Sequence, residues 1–297
     1  MTLPSAQLCA VPSGRAYKIE QAPGFYISEI HTQTIGEAQA GSQFEKWILG
    51  PVWNKPPHQI YMGIGGFINL SLIAGQKFKQ GILFDINPVQ TLYWQRLVKM
   101  IAAIPDAGTF RDFLLQSDAV MLANCRQLYD DQWDVLERTL AGIEIFARRS
   151  ALRSPVESPD FNDPNYIEYE WLRNGYAHLH AMARRGDLTA LTLDLTDTDS
   201  WAQLDRFLQD RGLCVGGLYL SNAISFLDLP HDWAGRPRNS TALQATFDNL
   251  RRVITPETHV IDASMTPIVR RRNAKALGIS YDENAYSGKP RYTALTA

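Results

Sequence analysis

Three glycines and an aspartate stand at the ends of two apolar runs, with a spacing that fits nucleotide binding. In IYMGIGGFINLSLIA an apolar run meets Gly63, Gly65 and Gly66, and the next run, GILFDIN, ends in Asp85. Glycines permit a sharp turn and a close backbone approach to a ligand. A carboxylate about twenty residues later can accept hydrogen bonds from ribose hydroxyls. The spacing predicts a nucleotide-binding crevice.

Two cofactor classes share this layout. A dinucleotide fingerprint read as Gly63-x-Gly65-x-x-Ile68 has isoleucine where glycine or alanine allows close helix packing. The chain also has no Tyr-x-x-x-Lys pair to supply a catalytic acid for hydride transfer. Both observations disfavour a nicotinamide cofactor.

The glycine segment and FDIN together resemble class I S-adenosylmethionine-dependent methyltransferase-fold proteins. For this first motif the resemblance implies that the glycines contact the methionine part of S-adenosylmethionine. It also implies that Asp85 binds the ribose hydroxyls and that Ile86 lies beside the adenine. The acidic residue usual just ahead of the glycines is absent, since Tyr61 and Met62 stand there. The candidates for holding the methionine amino group are Asn69, Asn87, Ser221 and Asn222.

Two further motifs carry the resemblance at later strand ends. In LTLDLTD it implies that Asp194 accepts a hydrogen bond from the adenine amino group, with Leu195 packed nearby. In GLYLSNAISFL it implies that Ser221 and Asn222 face the reactive end of the cofactor. For Asp85 and Asp194 a helix-capping role is the alternative, and for Asn222 a turn.

The resemblance leaves three functions open. The default is an enzyme of small-molecule or secondary metabolism that transfers the methyl group of S-adenosylmethionine. The YLSN strand end with the Asp194 motif is also similar, more loosely, to enzymes that cleave the aminocarboxypropyl arm, such as azetidine-2-carboxylate synthases, which close the arm on its own amine and release methylthioadenosine. Ser221, Asn222 and Tyr176 are the catalytic candidates. The third hypothesis is a protein that binds the cofactor without catalysis.

Five apolar runs predict the strands that position these residues. They are continuous rather than alternating, as in a parallel sheet covered on both faces. They lie at 60–64, 81–86, 188–195, 215–221 and 259–262. After Asp194 we predict a helix capped by Thr198 or Asp199 and ended by a left-handed Gly212. The pattern predicts an α/β fold with a Rossmann-like, doubly wound, mainly parallel sheet, the class I methyltransferase fold.

The spacing of the strands predicts an insertion. About a hundred residues separate Asp85 from Leu188, where a crossover helix needs only a few tens. We predict a helical lid at 1–55 that folds over the ligand, and a cofactor-binding domain at 56–297 with a helical insertion at 88–186. The helices predicted in the insertion are 92–104, 110–117, 133–149 and 166–185. The insertion either caps the substrate side of the crevice or forms a structural layer.

Charge and composition restrict the partners. The net charge is −2, so there is no general attraction for nucleic acid or acidic membranes, and a small-molecule substrate is expected. The run Arg270-Arg271-Arg272 is predicted to lie on a solvated helix face. Neither the three cysteines nor the pair His178 and His180 has metal-ligand spacing, so we predict no metal. We expect no membrane span and a cytoplasmic location. The pattern does not predict an oligomeric state.

Overall fold

The computed structural model gives the fold of most of the predicted strand and helix segments. The residues it describes are 47–55, 58–64, 67–86, 88–114, 169–221, 223–227, 241–263 and 269–273. The predicted helix at 133–149 and most of the predicted lid lie outside these residues.

Six strands of the described chain form one sheet. They are β1 (Gln59–Ile64), β2 (Gly81–Asp85), β3 (Leu188–Thr192), β4 (Cys214–Tyr219), β5 (Ile254–Ala263) and β6 (Val269–Asn273), in the order β3-β2-β1-β4-β5-β6. The first five are parallel, and β6 runs antiparallel to β5. The chain builds outward from β1 to β3 and then returns to place β4 on the other side of β1. This doubly wound order confirms the predicted Rossmann-like, mainly parallel sheet of the class I methyltransferase type.

Helices cover both faces of the sheet. On the first face lie α1 (Ile68–Gly75), α2 (Pro88–Ala103), α3 (Ala107–Leu114), a π-helical turn (Trp171–Gly175) and α4 (Tyr176–Arg185). On the second face lie α5 (Thr198–Asp210), α6 (Ala223–Leu227) and α7 (Thr241–Val253). The strands alternate their side chains between these layers, so Tyr61 and Leu83 pack into the first core and Met62 and Phe84 into the second. Burial on both faces explains why the strand sequences are continuously apolar.

The described ends of the insertion are helical, as predicted, and one of them fastens the edge strand β3. From α2, Thr91 Oγ1 donates to the carbonyl of Leu191 (3.1 Å) and Gln95 Nε2 donates to the carbonyl of Ala190 (3.1 Å). The edge strand β3 is therefore hydrogen-bonded to a helix that lies about a hundred residues earlier in the chain.

The described part of the N-terminal segment packs at the amino edge of the sheet, which is the side where the parallel strands begin. Trp53 N–H donates to Gln76 Oε1 (2.6 Å), and Gln76 Nε2 donates to the carbonyl of Trp47. The centroid of the Trp53 ring lies 4.5 Å from that of His259 and 6.1 Å from that of Phe78. Residues 47–55 therefore lie away from the carboxyl ends of the strands, where the lid was expected. Residues 1–46, which make up the rest of that prediction, lie outside the described chain.

Two local predictions need correction. The run Arg270-Arg271-Arg272 lies on the edge strand β6 and not on a helix, because it pairs with β5 in an antiparallel register. The N-cap of α5 is Asp197 rather than Thr198 or Asp199. Its side chain accepts from the N–H of Asp199 (3.2 Å) and from the hydroxyl of Ser200 (2.7 Å). Gly212 has φ 61°, which confirms the predicted left-handed helix end.

Candidate functional site

The carboxyl ends of β1 to β4 meet at the point where the strand order reverses. There Gly63 pairs with Leu83 of β2 and Tyr219 of β4, and Asp85 pairs with Thr192 at the end of β3. Open α/β sheets bind ligands in the crevice outside such a switch point. The topology thus brings Gly63, Asp85, the turn at Asp194 and the end of β4 to one edge of the sheet.

Gly63 is required by packing inside the protein. A Cβ at this position would lie 1.8 Å from Oδ1 of Asn69 and 2.9 Å from Cε1 of Tyr61. The Tyr61 hydroxyl donates to Asn69 Oδ1 (2.7 Å), and Asn69 Nδ2 donates to the carbonyl of Ile64 (2.9 Å). The sequence suggested that Gly63 leaves room for a ligand and that Asn69 holds one. In the structure both residues fix the end of β1 against α1, and their contacts with a ligand stay a prediction.

Asp85 ends β2 at the expected edge. Its side chain is half-buried, and its carbonyl accepts a hydrogen bond from the N–H of Leu193 (2.9 Å). This bond extends the contact between the ends of β2 and β3 beyond the paired strands. Ile86 follows in a bend and is half-buried as well. Asp85 and Ile86 thus lie next to the turn that carries Asp194.

Asp194 forms a tight turn after β3. Its Oδ1 accepts from the N–H and the hydroxyl of Thr196, both at 2.8 Å. Its carbonyl accepts from Nε1 of the buried Trp201 (2.9 Å), while Asp197 is the residue that caps α5. The capping alternative for Asp194 therefore does not hold. Oδ1 is engaged, and the carboxylate retains the acceptor capacity of Oδ2.

Leu195, predicted to lie near the adenine, is buried in the second core. Its carbonyl accepts a hydrogen bond from Asn249 Nδ2 of α7 (3.0 Å). Its side chain therefore packs into the protein interior while its backbone is held by a helix.

Ser221 has an unusual backbone conformation at the end of β4. Its φ is 50°, in the left-handed region that non-glycine residues seldom adopt, and its exposed fraction is only 8%. Such strain concentrates at functional sites, where the surrounding structure holds it in place. The strand end that the sequence assigned to the reactive end of the cofactor therefore carries a strained, nearly buried hydroxyl residue.

Tyr176 lies in the helical layer of the first face. It is buried, and its hydroxyl donates to the carbonyl of Ile104 (2.6 Å). Burial raises the pKa of Tyr176 well above its usual range, and the charge of Asp106 adds to this effect. The phenol therefore stays neutral near pH 7 and is engaged within the insertion, so the geometry favours packing over the predicted catalytic role.

Four predicted site residues lie outside the described chain: Gly65, Gly66, Asn87 and Asn222. Among the residues that are described, no group of three His, Cys, Asp or Glu side chains could hold a metal ion. Within the same residues no helix is both long and apolar enough to cross a membrane.

The sequence analysis did not predict an aromatic cluster around Phe67, the residue just before α1. The centroid of the Phe67 ring lies 5.6 Å from the ring centroids of Trp94 and Tyr169 and 5.8 Å from that of Trp171. Trp171 also begins the π-helical turn, and its N–H donates to Ser71 Oγ of α1 (3.1 Å). The contacts of Tyr169 and Trp171 with Phe67 and Ser71 join residues about a hundred positions apart, so only the density of aromatic residues at 166–176 could have indicated them.

Asn249 and Trp201 were also missed as supports of the Asp194 turn. Asn249 gave no signal, because an asparagine in an amphipathic helix looks like part of its solvated face.

Comparison with solved structures finds similarity to a methyltransferase. The rRNA methyltransferase aviRa from Streptomyces viridochromogenes is 13% identical to this chain, with a TM-score of 0.36, over 80% of this chain and 82% of that protein. A similarity of this size says nothing about substrate or reaction. No curated protein sequence matches the chain.

The sequence does match one family model, described as a domain of unknown function (DUF7790), over residues 54–243. The matched range begins just before β1 and contains the first four strands, Asp85, Asp194 and Ser221. Because it spans more than half of the 297 residues, the chain belongs to the DUF7790 family.

Proposed function

We propose that this protein is an S-adenosylmethionine-dependent enzyme that transfers the methyl group to a small molecule. The observation that carries the proposal is the strained Ser221, which follows β4 at the switch point, on the same edge of the sheet as Asp85 and the Asp194 turn. Bound S-adenosylmethionine supplies an electrophilic methyl group on its sulfonium.

The carboxylates fit the nucleoside part of this cofactor. Asp85 ends β2 with a half-buried side chain, where it can accept hydrogen bonds from two ribose hydroxyls. Asp194 uses Oδ1 within its own turn, which fixes the carboxylate and leaves Oδ2 to accept from the adenine amino group. Ile86, half-buried between them, offers an apolar surface to the ring.

Methyl transfer depends chiefly on proximity and in-line geometry. In this proposal the residues that end β4, Ser221 foremost, orient the methionine part toward the acceptor. The near-neutral chain and the crevice at the sheet edge support a small-molecule acceptor.

One observation favours a second reaction, cleavage of the aminocarboxypropyl arm. Tyr61 and Met62, both fully buried, occupy the end of β1 where an acidic residue is usual, and the Tyr61 hydroxyl is engaged by Asn69. An amine without a carboxylate partner at this position loses its proton more readily. The neutral amine can then attack the γ-carbon of the same arm, the bond from the γ-carbon to sulfur breaks, and methylthioadenosine leaves. A cofactor-binding protein without catalysis is the third possibility.

Incubation of the purified protein with S-adenosylmethionine, first alone and then with pools of small nucleophiles, tests these functions. The nucleoside products are followed by mass spectrometry. We expect S-adenosylhomocysteine to form only when an acceptor is present. Methylthioadenosine formed above the spontaneous background without acceptor would assign arm cleavage instead. Binding without any product would leave the non-catalytic role, and absence of binding would reject the cofactor.

A matched pair of variants tests the adenine contact. Asp194→Ala removes an acceptor for the ligand and should weaken S-adenosylhomocysteine binding about tenfold or more, since hydrogen bonds to charged groups contribute about 1.5–3 kcal/mol. Asp197→Ala removes the α5 cap three residues later. It should cost about 1 kcal/mol of unfolding free energy without changing affinity. Titration calorimetry and urea unfolding of both variants separate the two effects, and equal affinity losses would argue against the contact.

A further inference from the structure

Asn249 is a polar residue in the core of the second face. It belongs to α7, and its exposed fraction is 1%. Its Nδ2 donates to the carbonyl of Leu195 (3.0 Å), but its Oδ1 has no hydrogen-bond partner in the described structure. A buried amide with one unsatisfied end is unfavourable compared with an apolar residue of the same size. The asparagine at this position therefore needs a reason other than packing.

The contact made by Asn249 completes a set of three that hold the Asp194 turn. Leu193 N–H donates to the Asp85 carbonyl (2.9 Å), which ties the start of the turn to β2. Trp201 Nε1 donates to the Asp194 carbonyl (2.9 Å) from α5. Asn249 holds the next carbonyl, that of Leu195, from α7. Three elements thus fix three consecutive residues of one turn.

The turn places the Asp194 carboxylate. Its own bonds to Thr196 close the turn internally but do not orient it relative to the sheet. That orientation comes from the three outside contacts, and Asn249 supplies the one that comes from α7. Without it, the Leu195–Asp197 part of the turn loses a directional bond while its apolar packing remains.

We propose that Asn249 is a positioning residue for the adenine subsite, acting through the Leu195 carbonyl to aim the Asp194 carboxylate at the purine 6-amino group. The inference rests on the proposed function, and it assigns the purine selectivity of the site to a core residue that touches no ligand. It also links α7 to ligand binding.

The test compares S-adenosylhomocysteine with its hypoxanthine analogue, which carries an oxygen in place of the 6-amino group. Dissociation constants for both are measured by titration calorimetry in wild type, Asn249→Leu and Asn249→Asp. Asn249→Leu keeps the branched arrangement of heavy atoms without a hydrogen-bonding group, and Asn249→Asp keeps the shape without the Nδ2 donor. We expect the wild-type preference for adenine to fall about 3- to 10-fold in both variants, the loss of one hydrogen bond.

Thr246→Val is the control variant. Thr246 is fully buried in the same helix, but its hydroxyl donates to the carbonyl of Ala242 (2.9 Å) and makes no contact with the turn. A purely structural role for Asn249 would lower thermal stability and leave the adenine preference unchanged, as expected for Thr246→Val. That result would overturn the inference.

Hydrogen exchange in the wild-type protein provides a readout that needs no variant. S-adenosylhomocysteine should slow exchange in 193–199 and 246–252 together, because the bond from Asn249 joins them. Protection confined to 193–199 would count against the inference while leaving ligand binding intact. A wild-type protein that binds neither nucleoside would instead overturn the proposed function and the inference with it.

Discussion

The two edges of the sheet use left-handed backbone conformations for different purposes. At the amino edge Lys77, Gly186 and Gly212 have φ of 55°, 73° and 61°, and each ends a helix. After Lys77, for example, Phe78 N–H bonds back to the carbonyl of Ile73 (3.1 Å), as in a Schellman motif. At the carboxyl edge Ser221 has φ 50° but follows a strand. Helix termination explains the first three conformations, whereas Ser221 lies in a turn that the hydrogen bond from Ala223 N–H to the carbonyl of Leu220 (3.0 Å) closes.

The edges also differ in how their polar groups are used. At the amino edge the buried Gln76 engages both ends of its side chain with the 47–55 segment, and its carbonyl accepts from the Lys55 amino group. At the carboxyl edge the hydrogen bonds that the Asp194 carboxylate makes to the described residues all use Oδ1. The polar side chain of Gln76 is thus fully used within the protein at the amino edge, whereas Oδ2 of Asp194 is the acceptor that the proposed function assigns to a ligand.

The largest expected effect is a loss of stability at the carboxyl edge, where the absence of a Cβ at Gly63 leaves room for the side chain of Asn69. Gly63→Ala should lower the unfolding free energy by about 3 kcal/mol or more, because the new methyl group displaces Asn69 and its two hydrogen bonds. Urea unfolding measures this loss. The control is Gly212→Ala, where the Cβ meets nothing within 4 Å. It should cost about 1 kcal/mol, for the left-handed backbone alone. Equal losses would contradict the packing role.

A somewhat smaller effect is expected at the amino edge. Gln76→Met should lower the unfolding free energy by about 2 kcal/mol, because it leaves the Trp53 N–H and the Trp47 carbonyl without their buried partner. The affinity for S-adenosylhomocysteine should not change, since the site lies at the other edge. A parallel fall in affinity, measured on folded protein, would show that the edges are coupled.

The two left-handed non-glycine residues sharpen the comparison. Ser221→Gly and Lys77→Gly should each raise the unfolding free energy by about 0.5 kcal/mol, as relief of strain exceeds the added entropy of the unfolded chain. Only Ser221→Gly should lower ligand affinity or turnover, because it removes a side chain at the site. Urea unfolding and calorimetry of the two variants check this. Equal ligand affinity of the two variants would show that the Ser221 side chain does not contribute to ligand binding.

The smallest expected effect is a pH dependence that originates at the amino edge. His178 Nε2 bonds to the carbonyl of Phe78 (2.7 Å), and burial lowers the pKa of His178, with Lys77 and Arg185 adding to the shift. Below about pH 6.5 the unfolded chain takes up a proton that the folded state resists. The unfolding free energy should therefore decrease as the pH is lowered through this range. His178→Gln should reduce the slope of stability against pH, and an unchanged slope would assign it to other groups.

Much of the sheet could be predicted because its signal is local. The five parallel strands follow from continuous apolar runs, and the α5 unit follows from helical spacing and Gly212. The β3 prediction ran too long, since Leu193 and Leu195 are apolar yet belong to the turn that presents Asp194. β6 was not predicted because its three consecutive arginines do not form the apolar run that indicated the other strands.

The details of the site depend on contacts that sequence spacing does not encode. The glycine pattern identified Gly63 but not its reason, which is the side chain of Asn69 six residues later. Asp194 was correctly placed at a strand end, but its supports come from Trp201 and Asn249 on two helices. Tyr176 was selected for its chemistry, and only the fold shows its hydroxyl on Ile104.

The bonds from Thr91 and Gln95 to β3 have a consequence for folding kinetics. They close loops of 100 and 95 residues, and loop-closure entropy grows only with the logarithm of length. Compared with a connection of a few tens of residues, this closure costs about 1 kcal/mol more. The same long closure should make β3 the late strand to dock, after β1 and β2 have paired.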